Sequence, residues 1–319
     1  MIDISVVIPY YNESSTITTT LGLIGGQTYK PKEVIFVNSS STDSSSGIID
    51  LWIESQVDNK KVRYLNINSD STTPSSSKNI GIKNSNYEWI AFMDCGLVFS
   101  KNWLEELVRQ LEKYDFKPNI VSGVCRLHGY TAFDMCAVAH TYGVGTNRVC
   151  IPGSIVNRAV FDSTGLFLDN MRASYDRAWQ KKTRDKSIYR ITPDTNNVSY
   201  IGINFSESII NLFRKIVLYS KPAVKVEKYY TPIIYIFFAL FLVSVSISSV
   251  FYGCVILLFY FIMRGYFLPL YKSNDKISII KSIKRIFLLL PFIGMVIDIA
   301  RLCGYLLGYM DRLFGNSNN

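Results

Sequence analysis

The stretch VVIPYYNESS (Val6–Ser15) joins a run of β-branched residues to a proline, two tyrosines, an amide and a carboxylate. A short continuous apolar run, which here begins at Ile4, is typical of a strand buried in a parallel sheet. In open α/β sheets, ligands bind in the crevice outside the carboxyl ends of the strands. The polar residues that end this run are therefore candidates for ligand contacts.

Further short β-branched runs begin near Val34, Val62, Trp89 and Ile120. Strands that recur at this spacing, with connections long enough for a helix, indicate βαβ units and a parallel sheet. The segment Lys101–Tyr114 supports this interpretation, because its apolar residues recur at the spacing of one helix face. The sequence therefore predicts an α/β fold with a mostly parallel sheet.

Polar side chains follow the ends of four predicted strands. Aromatic, amide and acidic groups suit a nucleobase and ribose, a lysine suits a diphosphate, and an aspartate suits a divalent cation. The chain has no G-x-G-x-x-G and no G-x-x-x-x-G-K-[ST], which disfavours dinucleotide and P-loop sites. A nucleotide-sugar is the ligand class that fits best. The polar set is Pro9, Tyr11, Asn12 and Glu13 after the first strand, Asn38 and Ser39 after the second, Lys78 and Asn79 beyond the third, and Asp94 after the fourth.

The net charge of +9 is concentrated in the last third of the chain. Residues 1–200 hold 21 Lys and Arg against 20 Asp and Glu, whereas residues 201–319 hold 13 against 5. Hydrophobic residues are concentrated there too, and residues 229–271 carry Arg264 as their one charge. Because about 20 apolar residues cross a bilayer, this stretch predicts a transmembrane helical hairpin, with one long buried helix as the alternative. Its basic flanks predict that both ends lie in the cytoplasm.

The segments around the hairpin complete the predicted organisation. Residues 206–228 have the apolar spacing of an amphipathic connector that lies at the membrane surface. Residues 272–319 are predicted to be a basic loop followed by a third apolar helix, residues 286–310, which either spans the membrane or lies along it. The start of the chain shows no secretory signal pattern, so we expect residues 1–205 to lie in the cytoplasm, on a multi-pass protein of the inner membrane.

Three stretches carry a family resemblance. They are SVVIPYYNE (Ser5–Glu13), QTYKPKEVIFVNSSSTD (Gln27–Asp43) and SSSKNIGIKNSNYEWIAFMDCG (Ser75–Gly96). In order and spacing they resemble the family 2 glycosyltransferases with a GT-A fold, over about residues 4–180. Such enzymes usually contain I-P-x-Y-N-E, then V-D-D-x-S-x-D, then R-N-x-G, and then an Asp-x-Asp at the end of a strand.

The resemblance implies a role for each matching position. Asn38 stands where the family has the Asp that contacts the base or ribose, and Lys78 stands where Arg is common near the diphosphate. Asp94 is the first acid of the metal motif and would bind Mg²⁺ or Mn²⁺. The nucleotide-sugar site implied in this way consists of Pro9, Tyr11, Asn12, Glu13, Asn38, Ser39, Lys78, Asn79, Asp94 and Gly96.

A later stretch, GLFLDNMRASYDRAWQKK (Gly165–Lys182), is similar to the family's G-G-F-x-x-x-L-x-x-x-E-D region, whose Asp is the usual candidate base. In this alignment Tyr175 stands in place of the Glu, and Asp176 matches the Asp. A carboxylate near an acceptor hydroxyl can take its proton as the hydroxyl attacks the anomeric carbon. The resemblance thus implies that Asp176 is the catalytic base of an inverting displacement, and an exposed helix charge is the alternative.

The sequence departs from the family pattern at three places. Gly96 stands where the second acid of the metal motif is expected. Asn38 and Ser39 replace two aspartates, and Tyr175 replaces a glutamate. Since Mg²⁺ can be held by one carboxylate together with substrate phosphates and waters, a metal–diphosphate complex at Asp94 stays the expectation.

Together these features predict an inverting glycosyltransferase that acts at the cytoplasmic face of the membrane. Its partners would be a nucleotide-sugar donor, with UDP-sugars favoured, a lipid-linked saccharide acceptor and the membrane itself, and no nucleic acid. Surface polysaccharide or glycolipid synthesis is the expected role. Two alternatives stay open: a polyprenyl-phosphate sugar synthase, and a non-catalytic membrane subunit that keeps the GT-A fold.

Overall fold

The computed structural model describes residues 2–56, 61–193, 198–200, 208–226 and 230–314 of the chain. The chain divides into two compact units. The first unit comprises Met1–Cys125 and Asn147–Ile201, and the second comprises Arg126–Thr146 and Gly202–Asn319. The second unit therefore includes a short segment that lies, in sequence, within the first.

The described residues form nine strands in one sheet. Its order is β3-β2-β1-β4-β7-β6-β9-β5, with β8 paired to β6. Strand β1 pairs in parallel with β2 and β4, and β2 pairs in parallel with β3, whereas β4–β7 and β5–β9 are antiparallel. The strands are β1 Ile4–Tyr10, β2 Glu33–Asn38, β3 Arg63–Asn68, β4 Trp89–Phe92, β5 Leu97–Phe99, β6 Ile120–Arg126, β7 Asn147–Asn157, β8 Arg190–Ile191 and β9 Val198–Tyr200.

Helices alternate with the strands along most of the first unit, which gives the predicted α/β architecture. The helices of both units, in chain order, are α1 Ile17–Gly25, α2 Ser45–Glu54, α3 Pro74–Asn84, α4 Trp103–Glu112, α5 Ala132–Thr141, α6 Arg158–Thr164, α7 Tyr175–Asp185, α8 Ile209–Ser220, α9 Tyr230–Ser248, α10 Val250–Ile262, α11 Leu268–Lys272, α12 Lys276–Ile286 and α13 Leu289–Leu313. A 3₁₀ turn covers Lys221–Lys225, and a π-helical turn covers Met263–Phe267.

The core of the first unit follows from the apolar patterns of its elements. Every residue of β1 and of β2 is buried, as expected for central parallel strands that are covered on both faces. Helix α4 buries Trp103, Leu104, Leu107, Val108 and Leu111, the five apolar positions that its helical spacing brings onto one face.

The helical hairpin of the second unit turns at Ser249. Helices α9 and α10 are separated by this one residue, whose φ of −158° is that of extended backbone. A Cβ added to Gly253 would lie 2.5 Å from the Ser246 hydroxyl, so the glycine permits a close approach of the two helices. Further along, the rings of Phe238 and Tyr260 lie 6.0 Å apart, which is the pairing expected of antiparallel helices.

Among the described residues, two helices are long and apolar enough to cross a membrane: the continuous helix Val250–Lys272 and α13. A bidentate ion pair joins them, because Arg264 Nε and Nη2 lie 2.5 and 2.8 Å from the Asp298 carboxylate oxygens. The Tyr260 hydroxyl donates to the same carboxylate at 3.0 Å. Charged groups within apolar helices are usually paired in this way, since an unpaired charge there is costly.

The segment predicted as a basic loop is largely the helix α12. It begins at Asp275, whose carboxylate accepts a hydrogen bond from the Ser278 backbone N–H at 3.0 Å, a normal N-terminal cap. Its isoleucines recur at helical spacing, with Ile279 and Ile286 buried and the two lysines between them exposed.

Gly81 of α3 packs directly on β1, and this contact provides a test of the fold. A Cβ at Gly81 would lie 2.3 Å from Val7 Cγ1, and the stiff β-branched valine cannot move aside. We expect Gly81→Ala to lower the free energy of unfolding by about 1–3 kcal/mol through overpacking. Thermal unfolding of the detergent-purified protein would show this as a lower midpoint.

Gly22→Ala is the matched control, because Gly22 lies on the exposed side of α1 with no atom within 4 Å of an added Cβ. There the greater helix propensity of alanine predicts an unchanged or slightly higher midpoint. Equal effects of the two substitutions would contradict the packing of α3 on β1.

Candidate active site

The register of the sheet brings the polar strand ends to one edge. Tyr10 is level with Asn38, and Asn38 is level with Asn68 on the next strand. Val7 is level with Phe92, which places Asp94 just beyond the end of β4 on the same side of the sheet. Because these strands are parallel, their carboxyl ends form the crevice where ligands of such sheets bind. The structure thus brings together the residues that the sequence singled out.

The loops after β1 and β2 are held together by short polar side chains. The Asn12 backbone N–H donates to Ser41 Oγ at 3.0 Å, and Asn12 Oδ1 accepts from the Thr42 N–H at 2.8 Å. Asp43 accepts from the Ser14 N–H at 2.9 Å. The hydrogen bond from the Ser45 hydroxyl is the main reason that the pKa of Asp43 is held below its usual range. The Asn12 and Asp43 side chains therefore shape these loops.

Asn38 is buried, and its amide is used within the protein. Its Nδ2 donates to Asn68 Oδ1 at 3.1 Å, and its Oδ1 accepts from the Ser41 N–H at 2.8 Å. The neighbouring Ser39 hydroxyl shares a 2.7 Å hydrogen bond with Ser77 at the start of α3. An amide in this place is neutral, so this corner of the edge lacks the negative charge that an aspartate would give it.

Lys78 is the most deeply buried charge of the edge, with no exposed surface. Its Nζ donates to Asp94 Oδ1 at 2.6 Å and to the Tyr175 hydroxyl at 3.2 Å. Burial raises the pKa of Tyr175 to about 12, so its phenol is neutral and the ion pair is formed by Lys78 with Asp94. These three residues come from three separate stretches of the chain.

Glu13 lies at the same edge, where its backbone N–H donates to Ser45 Oγ at 2.8 Å. Its carboxylate accepts a short hydrogen bond from the Thr16 hydroxyl. Partial burial raises the pKa of Glu13, and the nearby carboxylates of Asp94 and Asp43 raise it further. The edge therefore holds two acidic side chains, Glu13 and Asp94, close enough to interact.

Asn79 links helix α3 to the loop that precedes α7. Its Nδ2 donates to the Phe167 carbonyl at 2.9 Å and to Asp169 Oδ1 at 2.8 Å, and its Oδ1 accepts from the Phe167 N–H at 3.1 Å. Both N–H groups of the amide are therefore used to hold the loop that precedes α7. The serines of the first turn of α3 hold the same loop, since Ser76 and Ser75 accept from the backbone N–H groups of the two residues that follow Asp169.

Asp176 is half-buried in the first turn of α7, directly after Tyr175. The positive end of a helix dipole favours a carboxylate there. The carboxylates of Asp94 and Asp176 both raise the pKa of Tyr175, after the larger effect of burial. Asp176, the predicted base, and Asp94, at the predicted diphosphate site, are thus both close enough to Tyr175 to affect its pKa.

Left-handed backbone is concentrated at this edge. Asn12, Ser40, Asn170 and Ser174 have φ values of 52°, 60°, 55° and 65°, although none is a glycine. All four lie in the loops that surround the strand ends, and Gly96 beside Asp94 has φ +74°. Such residues cost free energy and persist where the surrounding structure fixes them, commonly at functional sites.

The metal ion implied by the family resemblance does not fit these residues well. Asp94 is the one carboxylate of the motif, and its Oδ1 is already bound by the Lys78 ammonium. Gly96 offers no ligand, and the half-buried Cys95 thiol has its pKa raised, chiefly by desolvation. Within the described residues, no group of three or more His, Cys, Asp and Glu side chains is placed to hold a metal ion.

Sequence reasoning missed three contributors to the edge. Asp43 ends the second motif of the resemblance and, in addition, fixes the loop after β1. Asn68 ends β3 and pairs with Asn38. Tyr175 departs from the family's glutamate in the sequence, and in the structure its hydroxyl contacts Lys78. The polar end of β3 was a visible signal for Asn68, whereas no local pattern indicated the Tyr175 contact.

Comparison with known proteins supports the family resemblance. Residues 5–133 match the family model described as Glycosyl transferase family 2. An uncharacterized glycosyltransferase of Rickettsia bellii is 31% identical over 113 residues, which are 35% of this chain and 16% of that protein. Glycosyltransferase GlyG of Streptococcus pneumoniae serotype 4 is 31% identical over 112 residues, 35% of this chain and 36% of that protein. The chain therefore covers well under two thirds of the length of these relatives.

Among solved structures, mannosyltransferase PcManGT from Pyrobaculum calidifontis, in complex with GDP-Man and Mn²⁺, has the same fold. It matches with a TM-score of 0.56 and 15% identity over 94% of this chain and 86% of that one. The α/β fold of GT-A type, predicted from the strand spacing and the motifs, is confirmed.

The three hydrogen bonds of Asn79 predict that this residue orders the loop before α7. Asn79→Leu would remove them and leave the Phe167 N–H and carbonyl unpaired, at a cost of about 1–3 kcal/mol for each buried group. We expect faster backbone hydrogen exchange across residues 167–171, measured by mass spectrometry. Asn84→Leu is the control, because Asn84 on the same helix makes one exposed hydrogen bond to Ile80. Unchanged exchange in Asn79→Leu would contradict the assignment.

Proposed function

We propose that this chain, which carries a family 2 glycosyltransferase domain of GT-A fold, is an inverting glycosyltransferase. It moves a sugar from a nucleotide-sugar, with UDP-sugars favoured, to a lipid-linked saccharide at the cytoplasmic face of a membrane. Surface polysaccharide or glycolipid synthesis is the proposed context. The observation that carries the proposal is the Lys78–Asp94 ion pair at the carboxyl edge of a parallel sheet, with Asp176 next in sequence to the Tyr175 that Lys78 contacts.

The edge offers the groups that a nucleotide-sugar needs. The Tyr11 ring is partly exposed and can stack on a base, and Pro9 lies just before it in the chain, one residue from the end of β1. The Asp94 side chain is partly exposed, and the buried Lys78 ammonium neutralises its carboxylate. Support for the sugar donor class comes from the Pyrobaculum calidifontis mannosyltransferase of the same fold, whose structure is a complex with GDP-Man.

The chemical step is one displacement at the anomeric carbon. Asp176 takes the proton of an acceptor hydroxyl as that oxygen forms its bond to the anomeric carbon. On the opposite face, the bond from the anomeric carbon to the diphosphate oxygen breaks, and the nucleoside diphosphate leaves with the electron pair. One displacement inverts the configuration at this carbon.

A membrane-bound acceptor is proposed from the second unit. The continuous helix Val250–Lys272 and helix α13 have the length and composition of membrane spans. Helix α8 buries Leu212 and Ile216 and leaves Ile210 and Leu218 exposed among basic residues, a distribution that suits the interface of a bilayer. An enzyme held in this way meets lipid-linked acceptors without having to extract them.

A polyprenyl-phosphate sugar synthase is the second candidate. Its acceptor is a lipid phosphate, which is already an anion and needs little help from a general base. The apolar helices suit either acceptor, so the requirement for Asp176 separates the two activities.

Nucleotide binding provides the first test of the proposal. We expect one of UDP, GDP, CDP and dTDP to raise the unfolding temperature of the detergent-purified protein, because ligands that bind the folded state stabilise it. At 100 times the dissociation constant the stabilisation would be about 2.7 kcal/mol. The experiment is run with Mg²⁺, with Mn²⁺ and with chelator. Absence of any shift with every nucleotide in every condition would contradict the proposal and favour a non-catalytic subunit.

Asp176→Asn tests the catalytic base. Removing a general base lowers the rate by about 10²–10⁴-fold, so we expect this loss in kcat with little change in nucleotide affinity. The assay is transfer of labelled sugar from the matched nucleotide-sugar to lipids of the native membrane. Asp185→Asn is the control, since Asp185 ends the same helix in an exposed pair with Lys181 and should leave kcat unchanged. Undiminished transfer by Asp176→Asn would indicate the polyprenyl-phosphate reaction.

A further inference from the structure

We infer that the Lys78 ammonium takes the place of a divalent cation at Asp94, so that the nucleotide-sugar binds without a metal ion. The inference rests on the proposed function and deepens it, because it states how the diphosphate is recognised. It follows from the disagreement between the metal that the family resemblance implies and the residues that are present.

The ion pair between Lys78 and Asp94 is short, and its ammonium is fully buried. Lys78 Nζ lies 2.6 Å from Asp94 Oδ1, and the lysine side chain has no exposed surface, whereas 31% of the Asp94 side chain is exposed. A fully buried ammonium has to keep its partner, since an unpaired buried charge is strongly destabilising. The ammonium is therefore fixed behind the carboxylate, on the side away from solvent.

The local charge then differs from that of a site with two acids. Two carboxylates repel a diphosphate, and a divalent cation between them is needed to bridge the anions. Here Gly96 occupies the position of the second acid, and Lys78 neutralises the first. The Asp94 pair has no net charge, so the main electrostatic requirement for a bridging cation is removed.

Because Tyr175 is neutral, Asp94 is the anion that pairs with the Lys78 ammonium. Its hydroxyl lies 3.2 Å from Lys78 Nζ, in the position where the family resemblance places a glutamate. A glutamate there would compete for the ammonium and return a negative charge to the site. The neutral phenol fills the second hydrogen-bonding position of the lysine without doing so.

Other charged groups of the edge also face this pair. Asp176 raises the pKa of Tyr175 from one side, and Glu13 interacts with Asp94 from the other. Glu13 is an acid that could complete a metal site with Asp94, although its carboxylate is engaged by the Thr16 hydroxyl. The experiment therefore includes Glu13→Gln.

Calorimetric titration of the full-length, detergent-purified protein tests the inference. The titrant is the nucleoside diphosphate that gives the stabilisation described above, in buffer with EDTA and then with Mg²⁺ or Mn²⁺. We expect the dissociation constants with and without metal to agree within about threefold. Loss of binding in EDTA by more than about tenfold would overturn the inference while leaving the proposed function intact. Absence of binding in all conditions would instead contradict the proposed function.

Lys78→Met gives the converse prediction. Without the ammonium, Asp94 repels the diphosphate, so we expect affinity in EDTA to fall by about tenfold or more and Mn²⁺ to restore much of it. Lys78→Arg keeps the charge and should bind in EDTA more tightly than Lys78→Met. Unfolding temperatures identify any variant that fails to fold. Equal affinity of Lys78→Met and the wild type in EDTA would overturn the inference.

Gly96→Asp restores the missing acid without touching the buried pair. Gly96 is exposed with open space around it, and aspartate tolerates its left-handed backbone better than most residues. Manganese binding, followed by electron paramagnetic resonance, should be weak in the wild type and stronger in Gly96→Asp. Strong manganese binding by the wild type that Glu13→Gln abolishes would show a Glu13–Asp94 metal site and overturn the inference.

Discussion

A buried ammonium group must have a partner, and this requirement organises the carboxyl edge of the sheet. Lys78 has no access to water, so its charge is compensated by Asp94 and its second hydrogen bond is accepted by Tyr175. The three residues lie on α3, after β4 and on α7. Since breaking a buried pair costs about 3–5 kcal/mol, the contact fixes these elements against one another. The same contact determines the charge that a ligand meets.

Short hydroxyl, amide and carboxylate side chains hold the other loops of this edge by hydrogen bonds to their backbone. Asn12, Asp43 and Asn79 each bind backbone N–H groups of a neighbouring loop. These loops contain residues in left-handed backbone, which proteins tolerate where several contacts fix the conformation. The abundance of serine and asparagine after the strands therefore has a structural cause.

The sequence predicted the local elements well and the long-range contacts poorly. The predicted strand starts at Val34 and Val62 are each within one residue of the observed starts, and all five apolar positions of α4 are buried. The antiparallel strand β7 was not predicted, since its partner β4 lies over fifty residues away and strand pairing leaves no local signature. For the same reason the contact between Lys78 and Tyr175, 97 residues apart, was invisible.

In both units a buried cationic side chain is paired with an aspartate. In the second unit Arg264, the one charge of the predicted hairpin, makes a bidentate pair with Asp298 of α13 and contacts His140 of α5. The His140 Nε2 hydrogen-bonds the Leu290 carbonyl at 2.6 Å, so the imidazole is engaged on both sides. These contacts bind the segment Arg126–Thr146 to the apolar helices. A buried charge left unpaired would be strongly destabilising, so Arg264 fixes its partners within the second unit for the same reason that Lys78 fixes its partners in the first.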